Sequence, residues 1–167
     1  DDRQAFYTDF SKALSGRNEM GTRVVLIDAN TGPGGWRDGR SHIVGPHGIP
    51  FAKKGLNKDD NHLQFNYFCW NNNLCVGHTW FRHRESQKLT FYPQSADQGQ
   101  PRDIDHILID GRSSSCLKDV RSLPELTIST HEKFVDGGLP GHRVVIAKLR
   151  CRLRKPEPKP QTQVHPR

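Results

Sequence analysis

The chain has 167 residues, of which 33% are hydrophobic, and a formal net charge of +7. That length suits one domain with a real core, the low apolar share with 15 Gly and 11 Pro predicts a loop-rich fold, and the charge favours a polyanionic partner over an acidic one. No apolar run is long enough to span a bilayer and no signal peptide is visible. The four cysteines (69, 75, 116 and 151) form no CxxC pair or dense framework, which excludes a disulfide scaffold and predicts an intracellular protein, nuclear or cytoplasmic.

In chain order, Phe6, Phe10 and Leu14 recur at helical spacing before Gly16 and predict an amphipathic helix over 2–15. The run "RVVLIDAN" (23–30) reads as a buried strand ending in polar residues, and the Gly/Pro-rich stretch 31–55 as an ordered loop. A second helix is predicted over 59–74, from the capping acids through Leu63, Tyr67, Phe68 and Trp70. Strands follow in "LCVGHTWF", "KLTFYPQ", "DIDHILID" (103–110), "CLKDVRS" (116–122) and "HRVVIAKLRCRL" (142–153). After Lys155 alternating prolines predict a disordered basic tail over 156–167. Helices mixed with strands too close in sequence for a βαβ series point to an α+β layered sandwich, with a mainly antiparallel sheet and flanking helices.

Three strand ends carry groups able to do chemistry. Asp28 and Asn30 point to one side of an extended chain, although Asp-x-Asn before Gly32 also reads as an Asx turn. Asp103 and Asp105 share a strand face with His106 on the other, which suits a hard cation or an orienter for a histidine, or a solvated strand end. His142 stands where "LPG" gives way to a strand. The set Cys69, Cys75, His78 and His83, spaced C-x5-C-x2-H-x4-H, is wider than usual zinc knuckles and is interrupted by aromatic residues, so no intact metal set is legible. Thr90 and Tyr92 are candidates for the rim of a nucleic-acid surface, with Phe91 between them as core.

Taken in order, "VVLIDANTG", "VGPHG", "NNNLCVGHTWFRHRESQKLTFYPQ", "IDHILID", "LKDVRS" and "GHRVVIAKLRCRLRK" resemble the endonuclease/exonuclease/phosphatase superfamily. Within it they resemble the endonucleases of RTE-type non-LTR retrotransposons and the craniofacial development protein 2-like proteins. The resemblance runs over about residues 3–155 and implies one half, the C-terminal half, of a four-layer fold. It implies that Asp28 and Asn30 activate water and hold a scissile phosphate. Asp105 would orient the catalytic histidine, His142 would contact the phosphate, and Thr90 would lie near the nucleic-acid rim. The ancestral activity so implied is Mg²⁺- or Mn²⁺-dependent hydrolysis of DNA phosphodiester bonds.

Two departures bear on activity. The closing motif reads Pro140-Gly141-His142 where the family has Ser-Asp-His, so a carboxylate is replaced by Gly141. The family's earlier Asn, Glu and Tyr have no counterpart in this chain. These losses predict little or no hydrolysis by the chain alone, and an exposed sheet face that a dimer or a partner chain would cover. The rival expectations are a non-catalytic nucleic-acid-binding module, for which the charge speaks, and a protein-interaction module.

Overall fold

The structure is a computed structural model that describes residues 2–15, 21–34, 42–50, 61–94, 99–128 and 140–150. Two helices and six strands are formed there: α1 (Asp2–Ser15), β1 (Val24–Asp28), α2 (Asn61–Asn71), β2 (Leu74–Val76), β3 (Phe91–Tyr92), β4 (Asp105–Asp110), β5 (Leu117–Ile128) and β6 (Gly141–Leu149). The strands make two three-stranded sheets with orders β1-β4-β2 and β3-β6-β5, and every strand pair in them is antiparallel. A bridge between Val44 and Val76 is parallel. This is the α+β layered architecture expected from the sequence. The predicted tail over 156–167 and the last part of the predicted strand 142–153 lie outside the described residues.

The alternation of β4 explains the layering. Leu108 turns to one side and joins Val25, Val76, Phe65 and Phe68 in a core between the first sheet and the helices. Ile107 and Ile109 turn to the other side and meet Leu117, Val120 and Cys75 between the two sheets. Buried on both faces, β4 must therefore be apolar throughout its middle, as "ILI" is. Phe65 is 0% exposed at the centre of the helix-side core. Its truncation to alanine would cost about 3–5 kcal/mol in lost transfer energy and an unfilled cavity.

The edge strand β1 is covered on one side only. Leu26, on the face turned to the second sheet, is 75% exposed, because β3, β6 and β5 pair among themselves and do not extend over it. No helix among the described residues is long and apolar enough to cross a membrane.

The helices sit in a different rotation from the one hydrophobicity predicts. In α1 the residue that is buried is Tyr7, with Phe10 and Leu14 packed partly against the core, while Phe6 is exposed. In α2 Tyr67 and Trp70 are exposed, and the buried face carries His62, Phe65, Asn66, Phe68 and Cys69. The polar members of that face are there because they bind backbone. Asn61 Nδ2 donates to the Ala29 carbonyl at 2.7 Å, His62 Nδ1 lies 3.0 Å from the Gly32 oxygen, and Asn66 Nδ2 donates to the Pro33 oxygen. Buried backbone carbonyls need partners, and α2 supplies them to the loop that follows β1.

Candidate active site

β1 and β4 pair in a register that sets Asp28 opposite Asp105. Paired residues point to the same face, and Asp105 has the parity of Ile107 and Ile109, so both carboxylates stand on the face turned to the second sheet. At that end β6 begins, and His142 Nδ1 lies 3.0 Å from Asp105 Oδ2 and 3.2 Å from Oδ1. Asp28, Asp105 and His142 each offer one donor atom within 4.8 Å of the others. The His142 side chain is 40% exposed and that of Asp105 20%, so the group is open to a ligand.

Thr90 holds this end together. Its hydroxyl accepts from the backbone N–H groups of Ile104 and Asp105, both at 2.9 Å, and its carbonyl accepts from Arg143 N at 2.7 Å. One residue thus fixes the first residues of β4 and of β6, the two elements that carry Asp105 and His142. Thr90 is 2% exposed, so it braces the site from inside and does not form part of a ligand-facing rim. Tyr92 is half-buried, with the Arg143 guanidinium 4.4 Å from its ring centre. Phe91, expected in the core, sets its ring edge-on to His142 at 5.0 Å and lies beneath Arg102.

Beyond Asp28 the chain turns sharply. Asn30 has φ 51, a conformation asparagine tolerates, and its N–H donates to Asp28 Oδ1 at 3.0 Å. The Asx turn read from the sequence is therefore present, and it engages Oδ1 of Asp28 rather than Oδ2. Asn30 lines a cavity of about 280 Å³ together with Thr31, Arg102 and Asp103.

Asp103 does not share the face of Asp105 as strand alternation predicts. The Thr90 hydroxyl takes two successive N–H groups just ahead of β4, so the strand ladder begins only at Asp105. Asp103 turns inward instead, to His78 and His106. Burial pushes its carboxyl up, but the two imidazoles and Lys88 outweigh burial and hold it below the ordinary carboxylate range. Burial pushes His106 below the usual histidine range, with Asp103 pulling the other way.

The spaced set Cys69, Cys75, His78 and His83 does not converge. Cys69 is in the α2 core, Cys75 Sγ donates to the His42 carbonyl, His78 meets Asp103, and His83 Nε2 lies 2.6 Å from Asp119. The residues that sequence reasoning missed are Thr90 as a brace and His78 with His106 as partners of Asp103. A Thr-Phe pair and a histidine after a short strand carry no periodic signal that would have found them.

No known family model matches this chain, and no curated protein does. Among solved structures it is similar to a 3'-5' exonuclease (NExo) from Neisseria meningitidis, at 17% identity and a TM-score of 0.56. The likeness covers 87% of this chain and 52% of that one, so this chain spans about half the length of the exonuclease. At that identity the comparison defines the class of fold, a nuclease-like α+β sandwich.

Proposed function

We propose that this chain hydrolyses nucleic-acid phosphodiester bonds, as a descendant of a retrotransposon-type endonuclease of the endonuclease/exonuclease/phosphatase superfamily that acted on DNA. The observation that carries this reading is the convergence of Asp28, Asp105 and His142, which are far apart in sequence, at one end of the two sheets. The nuclease-like fold and the net charge of +7 support it.

Each residue has a role that its surroundings suit. Asp105 accepts the Nδ1–H of His142, which fixes the ring, and in the imidazolium form the Nε2–H is left to donate to a phosphate oxygen as negative charge builds there. Asp28, with Oδ1 engaged by the Asn30 N–H, keeps Oδ2 to take a proton from the attacking water. The Asn30 carboxamide would hold a phosphate oxygen. Two carboxylates on one open face suit a hard cation, which is commonly held by one or two such groups and the substrate phosphate. Asp105 would hold Mg²⁺ or Mn²⁺ beside Asp28, and the ion would supply Lewis-acid stabilisation of the charge on the phosphoryl oxygens. With Gly141 in place of a carboxylate, hydrolysis by this chain is slow.

Supercoiled plasmid incubated with the purified chain and Mg²⁺ or Mn²⁺ tests the reading. Slow nicking is expected that stops with a chelator and is lost in His142→Ala. Equal behaviour of the wild type and that variant would end it. Salt-sensitive DNA affinity without nicking would leave binding alone as the function.

A further inference from the structure

Behind the candidate active site, on the helix side of β4, His78, Asp103 and His106 form a second cluster. They are 3%, 7% and 2% exposed, and each offers one donor atom within 4.8 Å of the others. His78 Nε2 lies 2.8 Å from Asp103 Oδ2, and His106 Nδ1 lies 3.6 Å from Asp103 Oδ1. His78 and Asp103 are close enough to share a proton, but their contact is not aligned as a hydrogen bond, and His106 Nδ1 and Asp103 Oδ1 have no hydrogen-bond partner among the described residues. Buried polar atoms left this close without aligned hydrogen bonds are costly unless a proton, a water or a cation is shared among them.

The tautomer of His106 narrows the choice. Its Nε2 is 2.8 Å from the Thr31 carbonyl, which can only accept, so Nε2 carries a hydrogen. In the neutral ring the Nδ1 lone pair then faces the Asp103 carboxylate. A ligating histidine characteristically donates its other N–H to a backbone carbonyl in this way, which fixes the ring and raises its basicity. The spacing also fits. Ligand atoms about 2.0–2.1 Å from a tetrahedral Zn²⁺ lie roughly 3.3 Å apart, and one atom from each of the three side chains lies within 4.8 Å of the others, so small side-chain shifts would bring them onto one ion. Asp103 and Thr31 also line the cavity of about 280 Å³, so the carboxylate end of the cluster adjoins open space.

We propose that His78, Asp103 and His106 bind a Zn²⁺ ion that ties the start of β4 to the segment after β2 and to the loop after β1. Two imidazoles and one carboxylate are a common zinc donor set and a poor one for Mg²⁺. The ion would sit on the opposite face of β4 from Asp105, so this site is independent of the proposed hydrolysis and stands or falls without it.

The full-length chain, stripped with a chelator and then titrated with Zn²⁺ alone, tests the proposal by metal content and calorimetry. The wild type is expected to retain one equivalent through gel filtration and to melt at a higher temperature with zinc than without. Asp103→Asn and His78→Gln should bind at least about tenfold to a hundredfold more weakly, since losses of that size follow even from changes around the ligands. Asp28→Asn, which touches only the other cluster, should bind as the wild type does. Co²⁺ in place of zinc gives a second readout that needs no variant. An intense four-coordinate visible spectrum supports the site, and a weak six-coordinate one overturns it. No retained zinc in the wild type, or unchanged binding by a folded Asp103→Asn protein, overturns it equally; the cluster would then be a proton-linked network.

Discussion

Asp105 and His142 are 37 residues apart in sequence and meet through a hydrogen bond of 3.0 Å at the joint of two separate sheets. Neither residue can be placed there by its own strand alone. β4 brings Asp105 to the end of the first sheet, β6 starts the second sheet at His142, and Thr90 hydrogen-bonds the backbone where each of these strands begins.

Thr90→Val keeps the shape and removes the hydroxyl, leaving the buried N–H of Ile104 and the part-buried N–H of Asp105 without their acceptor. An unsatisfied buried donor costs about 1–3 kcal/mol. The variant should lose stability of that order in urea unfolding, and lose hydrolysis more than it loses DNA affinity, because it frees Asp105 from His142. A variant as stable and as active as the wild type would show that the brace is not needed.

Gly141, next to His142, adopts φ 122, which L side chains rarely take. Gly141→Asp, which adds a carboxylate beside His142, should therefore not simply raise activity. Holding a non-glycine residue in such a conformation costs about 1–3 kcal/mol, and the measured outcome should be a less stable protein with no gain in nicking rate.

Asp110 is 0% exposed at the end of β4. Burial pushes its carboxyl up, but hydrogen bonds from Arg112 and Arg23 prevail and hold it below the ordinary range. A carboxyl depressed by folding stabilises above its unfolded value, about 3.9, and that contribution fades as pH falls through the lower folded value. Stability measured from pH 7 downward should fall below about pH 4. Asp110→Asn should start lower at pH 7, by about 1.5–3 kcal/mol for hydrogen bonds to a charged group, and depend less on pH in the acid range.

The described cysteines should separate cleanly in thiol labelling. Cys69 and Cys75 are 0% and 4% exposed, and burial raises the thiol pKa of both. Cys116 is half-buried just ahead of β5. Alkylation of the folded protein at mild alkaline pH should modify Cys116 first, with Cys69 and Cys75 reacting only as the chain unfolds. Mass spectrometry of the labelled peptides reads the order directly.

Much of the frame was legible in the sequence, for physical reasons. The apolar middle of β4 is what a strand buried on both faces demands, β1 and β6 could be read from their β-branched runs although each is covered less than that pattern implies, and α1 shows its 3.6-residue period. The rotation of α2 was not legible, because its buried face uses His62 and Asn66 to satisfy the carbonyls of a loop far away in sequence. Asp28, Asp105 and His142 could be named from resemblance, yet their meeting depends on the pairing of β1 with β4 and the placement of β6. The Asp103 cluster was hidden for the opposite reason. Strand periodicity set Asp103 beside Asp105, and two hydrogen bonds to one threonine hydroxyl broke that periodicity.

The most direct test of the central claim is a double-mutant cycle on nicking rate in Mn²⁺, with Asp105→Asn, His142→Ala and the two combined. If the pair acts as one unit on the phosphodiester, each single change should slow nicking by roughly 10²–10⁴-fold, and the combination should be no slower than the worse of the two. Losses that multiply, or single variants that nick as the wild type does, would contradict it.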